Sequence, residues 1–172
     1  MSPLVYRVYV VVAVVRIAAM SYDLMVFEPE AAPKNHQSFR EWYFEQTKWN
    51  EGHSYGDPAI TSSRLRNWFA DMAKTFPPLN SVSSGDELPD DEASATDYSI
   101  GKEFIYAAFA WSKVEDAYKT VFDLAAKHGV GFFNVSSNDE EVWLPQDGEL
   151  ILAHRKAQPM LRDKLSKLFR PS

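Results

Sequence analysis

An apolar segment followed by a capped amphipathic helix constrains the fold of this chain most strongly. Phe104–Trp111 is almost wholly aromatic and aliphatic, which predicts a buried strand. Ser112 and Glu115 form a Ser-x-x-Glu capping box, so a helix is expected to begin directly after that strand. Apolar residues recur at helical spacing as far as Gly129, which predicts a left-handed C-terminal cap there.

Two further apolar segments follow this helix and predict a hairpin. Gly131–Ser136 and Glu141–Leu144 are separated by the turn-rich residues 137–140. A strand, a helix and a strand in direct succession favour a right-handed crossover. We therefore predict an α+β fold in two layers, with a mostly antiparallel, ferredoxin-like sheet of about four strands packed by helices.

The first half of the chain predicts one strand and two helices. Tyr22–Phe27 is a strand ended by Pro29, and Ser38 with Glu41 forms a capping box for a helix that runs to about Trp49. Turn-forming residues occupy 50–61, and a second helix is expected from Ser62 or Ser63 to the prolines at 77 and 78.

The domain organisation is one folded unit behind a short extension. Residues 1–19 are Val-rich, but the apolar run Val8–Val15 is shorter than the roughly 20 residues that a membrane span needs. We interpret this extension as a start codon assigned too far upstream, with a secretory signal as the alternative. Residues 20–172 then form a single domain. Since the chain has no cysteine, we expect a reducing, cytoplasmic location.

Charge is distributed unevenly along the domain. Residues 20–149 carry 10 basic and 23 acidic side chains, whereas residues 150–172 carry 6 basic side chains and Asp163. An acidic body repels phosphate backbones, which argues against nucleic acid as the main ligand. Residues 79–97 predict an acidic surface loop, and residues 159–169 predict a basic helix. That helix could dock on the acidic body of its own molecule or of a neighbour, so a homo-oligomer stays open.

No sequence motif for catalysis or cofactor binding is present. The four histidines lack metal-ligand spacing, and the chain has neither a phosphate-binding glycine loop nor a nucleophile elbow. His53, with Glu51 and Asp57 in a glycine-containing loop, is the one local cluster that resembles an acid/base or metal site. The enzyme alternative is therefore a small metal-dependent hydrolase, or another enzyme, that uses this loop. We predict no cofactor and favour a non-enzymatic role.

The acidic cluster of the predicted loop points to a protein partner. A flexible anionic segment can steer and hold a cationic protein, and Trp49 could anchor the contact if it is partly exposed, with core packing as its alternative. The residues predicted to bind the partner are Asp86, Glu87, Asp90, Asp91, Glu92, Asp97 and Trp49. A solubilising loop is the simpler interpretation of the same charges.

Four segments resemble a group of small, acidic, uncharacterised bacterial proteins that begin Met-Ser-Tyr-Asp-Leu. They are Met20–Phe27, Phe39-x-x-Trp42-Tyr43, Thr96–Gly101 and Gly129–Phe133. The similarity covers about residues 20 to 145. Proteins of this type resemble immunity proteins, which bind and block toxins delivered between bacteria. The resemblance implies a toxin-binding function and no catalytic residue. The acidic charge of the domain adds the expectation that the toxin is basic.

Overall fold

A six-stranded sheet is the centre of the computed structural model, which describes residues 21–79 and 91–157. The strands are β1 (Ser21–Phe27), β2 (Asp97–Ile100), β3 (Phe104–Ala110), β4 (Gly131–Phe133), β5 (Val142–Gln146) and β6 (Glu149–His154). Their order is β2-β3-β1-β4-β5-β6, and every neighbouring pair is antiparallel. The Val-rich extension, most of the acidic loop and the predicted basic helix lie outside the described residues.

Within the described residues three α-helices accompany the sheet, namely α1 (His36–Gln46), α2 (Ser63–Met72) and α3 (Val114–His128). The predicted cap at Ser62 is confirmed, because its side chain accepts the Leu65 N–H at 3.2 Å. Gly129 ends α3 with φ at 64°, also as predicted.

The other two predicted helix starts are wrong. Helix α1 begins before Ser38, because the side chain of Asn35 accepts the Ser38 N–H at 2.9 Å and serves as the cap. Helix α3 has no side-chain cap, since a 3₁₀ turn at Trp111–Lys113 leads the chain directly into it. The predicted capping boxes at these two places therefore do not form.

The sheet packs helices on both of its faces, so the prediction of two layers is wrong. Side chains alternate along β1, and Leu24 and Val26 join a core with α2 and α3 on what we call the front face. Met25 and Phe27 point to the opposite, back face and pack with Phe39 of α1. Each such fully buried aliphatic or aromatic side chain contributes about 1.5–3 kcal/mol to stability.

The sheet has six strands where about four were expected. Strand β2 lies at the end of the segment predicted to be loop, and it is short, with polar side chains at alternate positions. Strand β6 follows β5 through a two-residue turn in which both Asp147 and Gly148 have positive φ, at 52° and 84°. An Asp-Gly pair is a strong hairpin signal. The predicted antiparallel pairing of β4 with β5 is confirmed.

Candidate functional site

Part of the back face is not covered by α1. In the antiparallel ladders Asp97 of β2 lies opposite Ala108 of β3, which in turn lies opposite Asp23 of β1. Asp23 and Ala108 are half-buried and Asp97 is exposed. Because neighbouring strands lie about 4.8 Å apart, the two aspartates stand roughly 10 Å apart across three strands. We call this region, with Ser99 and Ala110 on the same face, the acidic shelf.

The carboxylate of Asp23 is held by one neutral donor. The Tyr106 hydroxyl donates to its Oδ2 at 2.7 Å. The backbone of Asp23 is fixed by Ser136. The Ser136 hydroxyl accepts the Asp23 N–H at 2.8 Å, and the Ser136 N–H donates to the Asp23 carbonyl at 3.2 Å. The second oxygen, Oδ1, is buried and has no hydrogen-bond partner among the described residues. The carboxylate therefore keeps unused capacity to accept a hydrogen bond.

Two tyrosines of the back face, Tyr106 and Tyr43, have hydroxyls whose pKa values are raised. Burial, reinforced by the hydrogen bond to Asp23, raises the pKa of Tyr106 far above its ordinary value. Burial also raises the pKa of Tyr43, which is within hydrogen-bonding reach of Tyr106. The one proton of the Tyr106 phenol goes to Asp23. Both phenols therefore stay neutral.

No basic side chain of the described segments neutralises the shelf. None of the ion pairs formed there includes Asp23 or Asp97. This distinguishes the shelf from Asp71, which is surrounded by three basic side chains. Uncompensated carboxylates on an accessible face are a source of negative potential that a cationic partner can sense.

Trp49 stands beside the shelf and is 40% exposed. Its ring centroid lies 5.9 Å from that of Tyr106, 5.3 Å from that of Tyr55 and 6.0 Å from that of Phe104. Trp49 has φ at 56°, a left-handed conformation that costs a non-glycine residue of order 1–3 kcal/mol. Packing on three aromatic rings offsets this cost and holds the exposed indole next to Tyr106.

The acidic residues predicted to bind a partner have different environments. Asp91 accepts hydrogen bonds from the Ala93 N–H at 3.1 Å and the Ser94 hydroxyl at 3.2 Å, and it pairs with Lys113, which lowers its pKa. Its charge is therefore matched within the molecule. Glu92 and Asp97 are exposed. Asp86, Glu87 and Asp90 lie outside the described residues.

The loop that contains Glu51, His53 and Asp57, the residues of the enzyme alternative, is organised by local hydrogen bonds. His53 Nε2 lies 2.5 Å from Glu51 Oε2, and His53 Nδ1 accepts the Tyr55 N–H at 3.1 Å. Since Nδ1 is an acceptor, Nε2 carries the proton and donates to Glu51. Asp57 instead caps a 3₁₀ turn by accepting the Ala59 N–H at 2.8 Å. Both ring nitrogens are committed, and no group of three potential metal ligands occurs among residues 21–79 and 91–157.

A pocket of about 320 Å³ lies between α1 and the β4–β5 connection. Arg40 in its wall is paired with a carboxylate, because Glu140 lies 3.2 Å from Arg40 Nε and 2.8 Å from His36 Nε2. His154 stands edge-on to His36, with ring centroids 5.9 Å apart. Burial, with a smaller contribution from His36, lowers the pKa of His154. This cluster links α1 to the sheet. Lys156, which also lines the pocket, is exposed and forms none of the ion pairs of the described segments.

Asp97 on the shelf and Trp49 beside it were predicted from the sequence as binding residues, whereas Asp23, Tyr43 and Tyr106 were not. The available signal was Asp23 itself, an acidic residue near the start of β1 and directly before the apolar run Leu24–Phe27. Comparisons with family models, curated proteins and solved structures found no match to this chain. No helix in the described part of the chain is long and apolar enough to cross a membrane.

Proposed function

We propose that this protein is a non-enzymatic binding module that receives a basic protein on the acidic shelf. The observation that carries the proposal is the position of Asp23 and Asp97 on the open part of the back face, without a basic counterion in the described segments. The half-exposed Trp49 borders the same region through its contact with Tyr106. Carboxylates and an aromatic anchor on one face suit an arginine- or lysine-rich surface.

The shelf can act on both the rate and the strength of binding. Exposed Asp97 and Glu92 attract a cationic protein from a distance and speed its encounter. Asp23 is partly desolvated, so a guanidinium or ammonium group that reaches it gains a stronger charge-assisted hydrogen bond than it would at the surface. Trp49 offers an aromatic face to the same cation.

The partner class that we propose is a basic toxin, such as a nuclease, whose substrate-binding surface the shelf would occlude. The resemblance of the segments at 20–27, 39–43, 96–101 and 129–133 to immunity-type proteins supports this choice. An anionic face imitates the negative charge of a nucleic-acid substrate. The lack of cysteine supports the cytoplasmic location that such an inhibitor would need.

We also propose that the first four strands constitute a ferredoxin-like unit to which the β5–β6 hairpin is added. Their spatial order, β2-β3-β1-β4, and their antiparallel pairing support this proposal. Helix α3 connects β3 to β4 across β1 on the front face, as a split crossover requires.

The test is affinity capture from the native organism with matched variants. The wild type and the control Asp123→Lys, which alters an exposed residue of α3, should each retain one stoichiometric basic protein. The double variant Asp97→Lys and Trp49→Ala should lose it, because it reverses a shelf charge and removes the anchor. Retention of the same protein by the double variant, or an acidic protein as the specific partner, would contradict the proposal.

A further inference from the structure

A β-bulge separates the end of β6 from the rest of that strand. Trp143 of β5 pairs with Leu152 and Val142 pairs with His154, so Ala153 has no partner in the β5–β6 ladder. A bulge disrupts the hydrogen bonds of a ladder locally. Since only the pair of Val142 with His154 lies beyond the bulge, the chain after Ala153 is held to β5 more weakly than the rest of β6.

The bulge also turns His154 onto the back face of the sheet. In a regular strand His154 would point to the same face as Leu150, which packs in the front core. The His154 ring instead contacts Phe39 of the back core, with ring centroids 5.4 Å apart, and stands edge-on to His36. His36 and Phe39 belong to α1, so the end of β6 packs on that helix through His154.

The remaining contacts of this end of the chain are weak. We call residues 154–156 the strap. Arg155 Nη1 lies 3.8 Å from Glu141 Oε1, and the Lys156 N–H donates to the Asp139 carbonyl at 2.9 Å. The arginine is half exposed, and an ion pair in contact with solvent contributes little to stability. The attachment of the strap therefore depends mainly on the burial of its histidine ring.

The site of His154 suits a neutral imidazole better than a charged one. Both ring nitrogens are buried, and neither has a hydrogen-bond partner of normal geometry among the described residues. Burial lowers the pKa of His154 and His36 lowers it further, while the nearby Pro33 carbonyl has the opposite, smaller effect. Protonation would place a charge and a second N–H donor where no acceptor receives them.

The charged groups around this imidazole either have partners already or repel a further cation. On α1, His36 and Arg40 share the carboxylate of Glu140, at 2.8 Å and 3.2 Å. Before β5, Glu141 is paired with the arginine of the strap, and the exposed Lys156 adds a positive charge. A proton on the imidazole would thus create an excess of positive charge between β6 and α1.

We propose that the strap is a pH-sensitive switch, which packs on α1 at neutral pH and is released in mildly acidic solution. Protonated His154 moves from its buried site into water, and the bulge at Ala153 lets the strap move without disrupting the rest of the ladder. Release uncovers Phe39, which is 1% exposed while the strap is in place. Histidine is the side chain that ordinarily changes its charge between about pH 5 and pH 8. The acidic shelf is not involved, so this inference does not rest on the proposed function.

Thermal melting of the full chain at about pH 7.5 and about pH 5.5 tests the switch. Because the pKa of His154 is lowered in the folded protein, the unfolded chain takes up its proton first, near the ordinary value of 6.5. Stability should therefore fall as the pH falls below that value. The Tm of the wild type relative to that of His154→Gln should decrease by about 2–4 °C on acidification, because glutamine cannot be protonated.

His128→Gln is the matched control for this measurement. His128 Nε2 lies 2.9 Å from a carboxylate oxygen of Asp71, so a proton on this histidine is compensated. The Tm of the wild type relative to that of His128→Gln should not decrease on acidification. A relative Tm of wild type and His154→Gln that is the same at both pH values would overturn the proposal.

Hydrogen exchange shows whether the release is local. The protection factor of the Lys156 amide, which donates to Asp139, should fall on the order of tenfold in the wild type at the lower pH. The Leu24 amide, in the centre of the sheet, should keep its protection. Unchanged protection of Lys156, or an equal loss at Leu24, would overturn the proposal. These wild-type amides decide the question even if His154→Gln does not fold.

Discussion

Tyr106 donates its hydroxyl proton to the carboxylate of Asp23 at 2.7 Å, although 83 positions separate the two residues in the chain. The bond joins β3 to β1 on the back face, where Asp23 has no cationic partner among the described residues. The Asp23 carboxylate is thus supported on a sheet face by a neutral hydrogen-bond donor, the Tyr106 hydroxyl. That arrangement preserves the charge for a second molecule and makes Tyr106 a supporting residue of the acidic shelf.

Removing the Tyr106 hydroxyl should therefore destabilise the protein. Tyr106→Phe leaves the half-buried carboxylate without its side-chain donor, and a hydrogen bond to a charged group contributes about 1.5–3 kcal/mol. Urea unfolding should show a loss of that size. Tyr118→Phe is the matched control, because the Tyr118 hydroxyl makes no hydrogen bond within the described segments and should change stability little. Equal losses in the two variants would contradict this account of Asp23.

The ion pairs of Asp71 should make stability depend on acid pH. Lys127, Lys74 and His128 donate to this carboxylate and hold its pKa well below the ordinary value of 3.8. A depressed folded-state pKa contributes stability that is fully present above the unfolded value and is lost as pH falls below it. Thermal melting should show Asp71→Asn less stable than the wild type at pH 7 and the difference shrinking below about pH 4. A difference that grows on acidification would contradict the assignment.

The position of Gly131 against Phe27 leaves no room for a methyl group. A Cβ added there would lie 2.4 Å from the ring of Phe27. That ring is fully buried and packed against Phe39 and Trp42, so it cannot move aside easily. Gly131→Ala should cost about 1–3 kcal/mol in urea unfolding. Gly56→Ala, where the nearest atom would be 3.9 Å away, is the control and should be nearly neutral.

The parts of the fold that could be predicted from sequence are those with local signals. The strand at 104–110, the cap at Ser62 and the left-handed Gly129 each follow from residues close together in the chain. The second core could not be predicted in this way, because helical periodicity shows that α1 has an apolar side but not which sheet face it covers.

The candidate site shows the same limit. Trp49 and Asp97 were identified by residue type, as an aromatic beside an acidic loop and a carboxylate within it. Their proximity to Asp23 depends on strand order, because β3 lies between β1 and β2. Ala108 of β3 lies opposite both Asp23 and Asp97, and Tyr106 of β3 contacts both Asp23 and Trp49. Asp91 and Asp97 look equivalent in the sequence. In the structure Asp91 caps the 3₁₀ turn at Glu92–Ser94 and pairs with Lys113, which directly precedes α3. The second contact joins residues far apart in the chain, so the sequence could not predict it.

The loop at His53 should behave as a structural element. His53→Ala removes the acceptor of the Tyr55 N–H and the donor to Glu51, so exchange of the Tyr55 amide should become faster. Added Zn²⁺ should leave the Tm of the wild type unchanged, because both ring nitrogens are already used. A zinc-dependent rise in Tm that disappears in His53→Ala would instead favour the metal-dependent hydrolase.

Salt dependence should separate Asp97 from Asp91 once the basic partner has been captured. Asp97 has no basic counterion in the described segments, so Asp97→Asn removes negative potential that the partner senses and should slow association at low salt. Asp91 is paired with Lys113 and caps a turn, so Asp91→Asn should affect thermal stability more than the association rate.

Stopped-flow association rates across a range of ionic strength measure the effects of the two substitutions on association. The wild-type rate should fall most steeply with salt, and Asp97→Asn should give the shallower slope. Equal slopes for the wild type and Asp97→Asn would show that Asp97 of the shelf does not steer the partner. A larger rate change in Asp91→Asn than in Asp97→Asn would place the steering charge at the turn before β2.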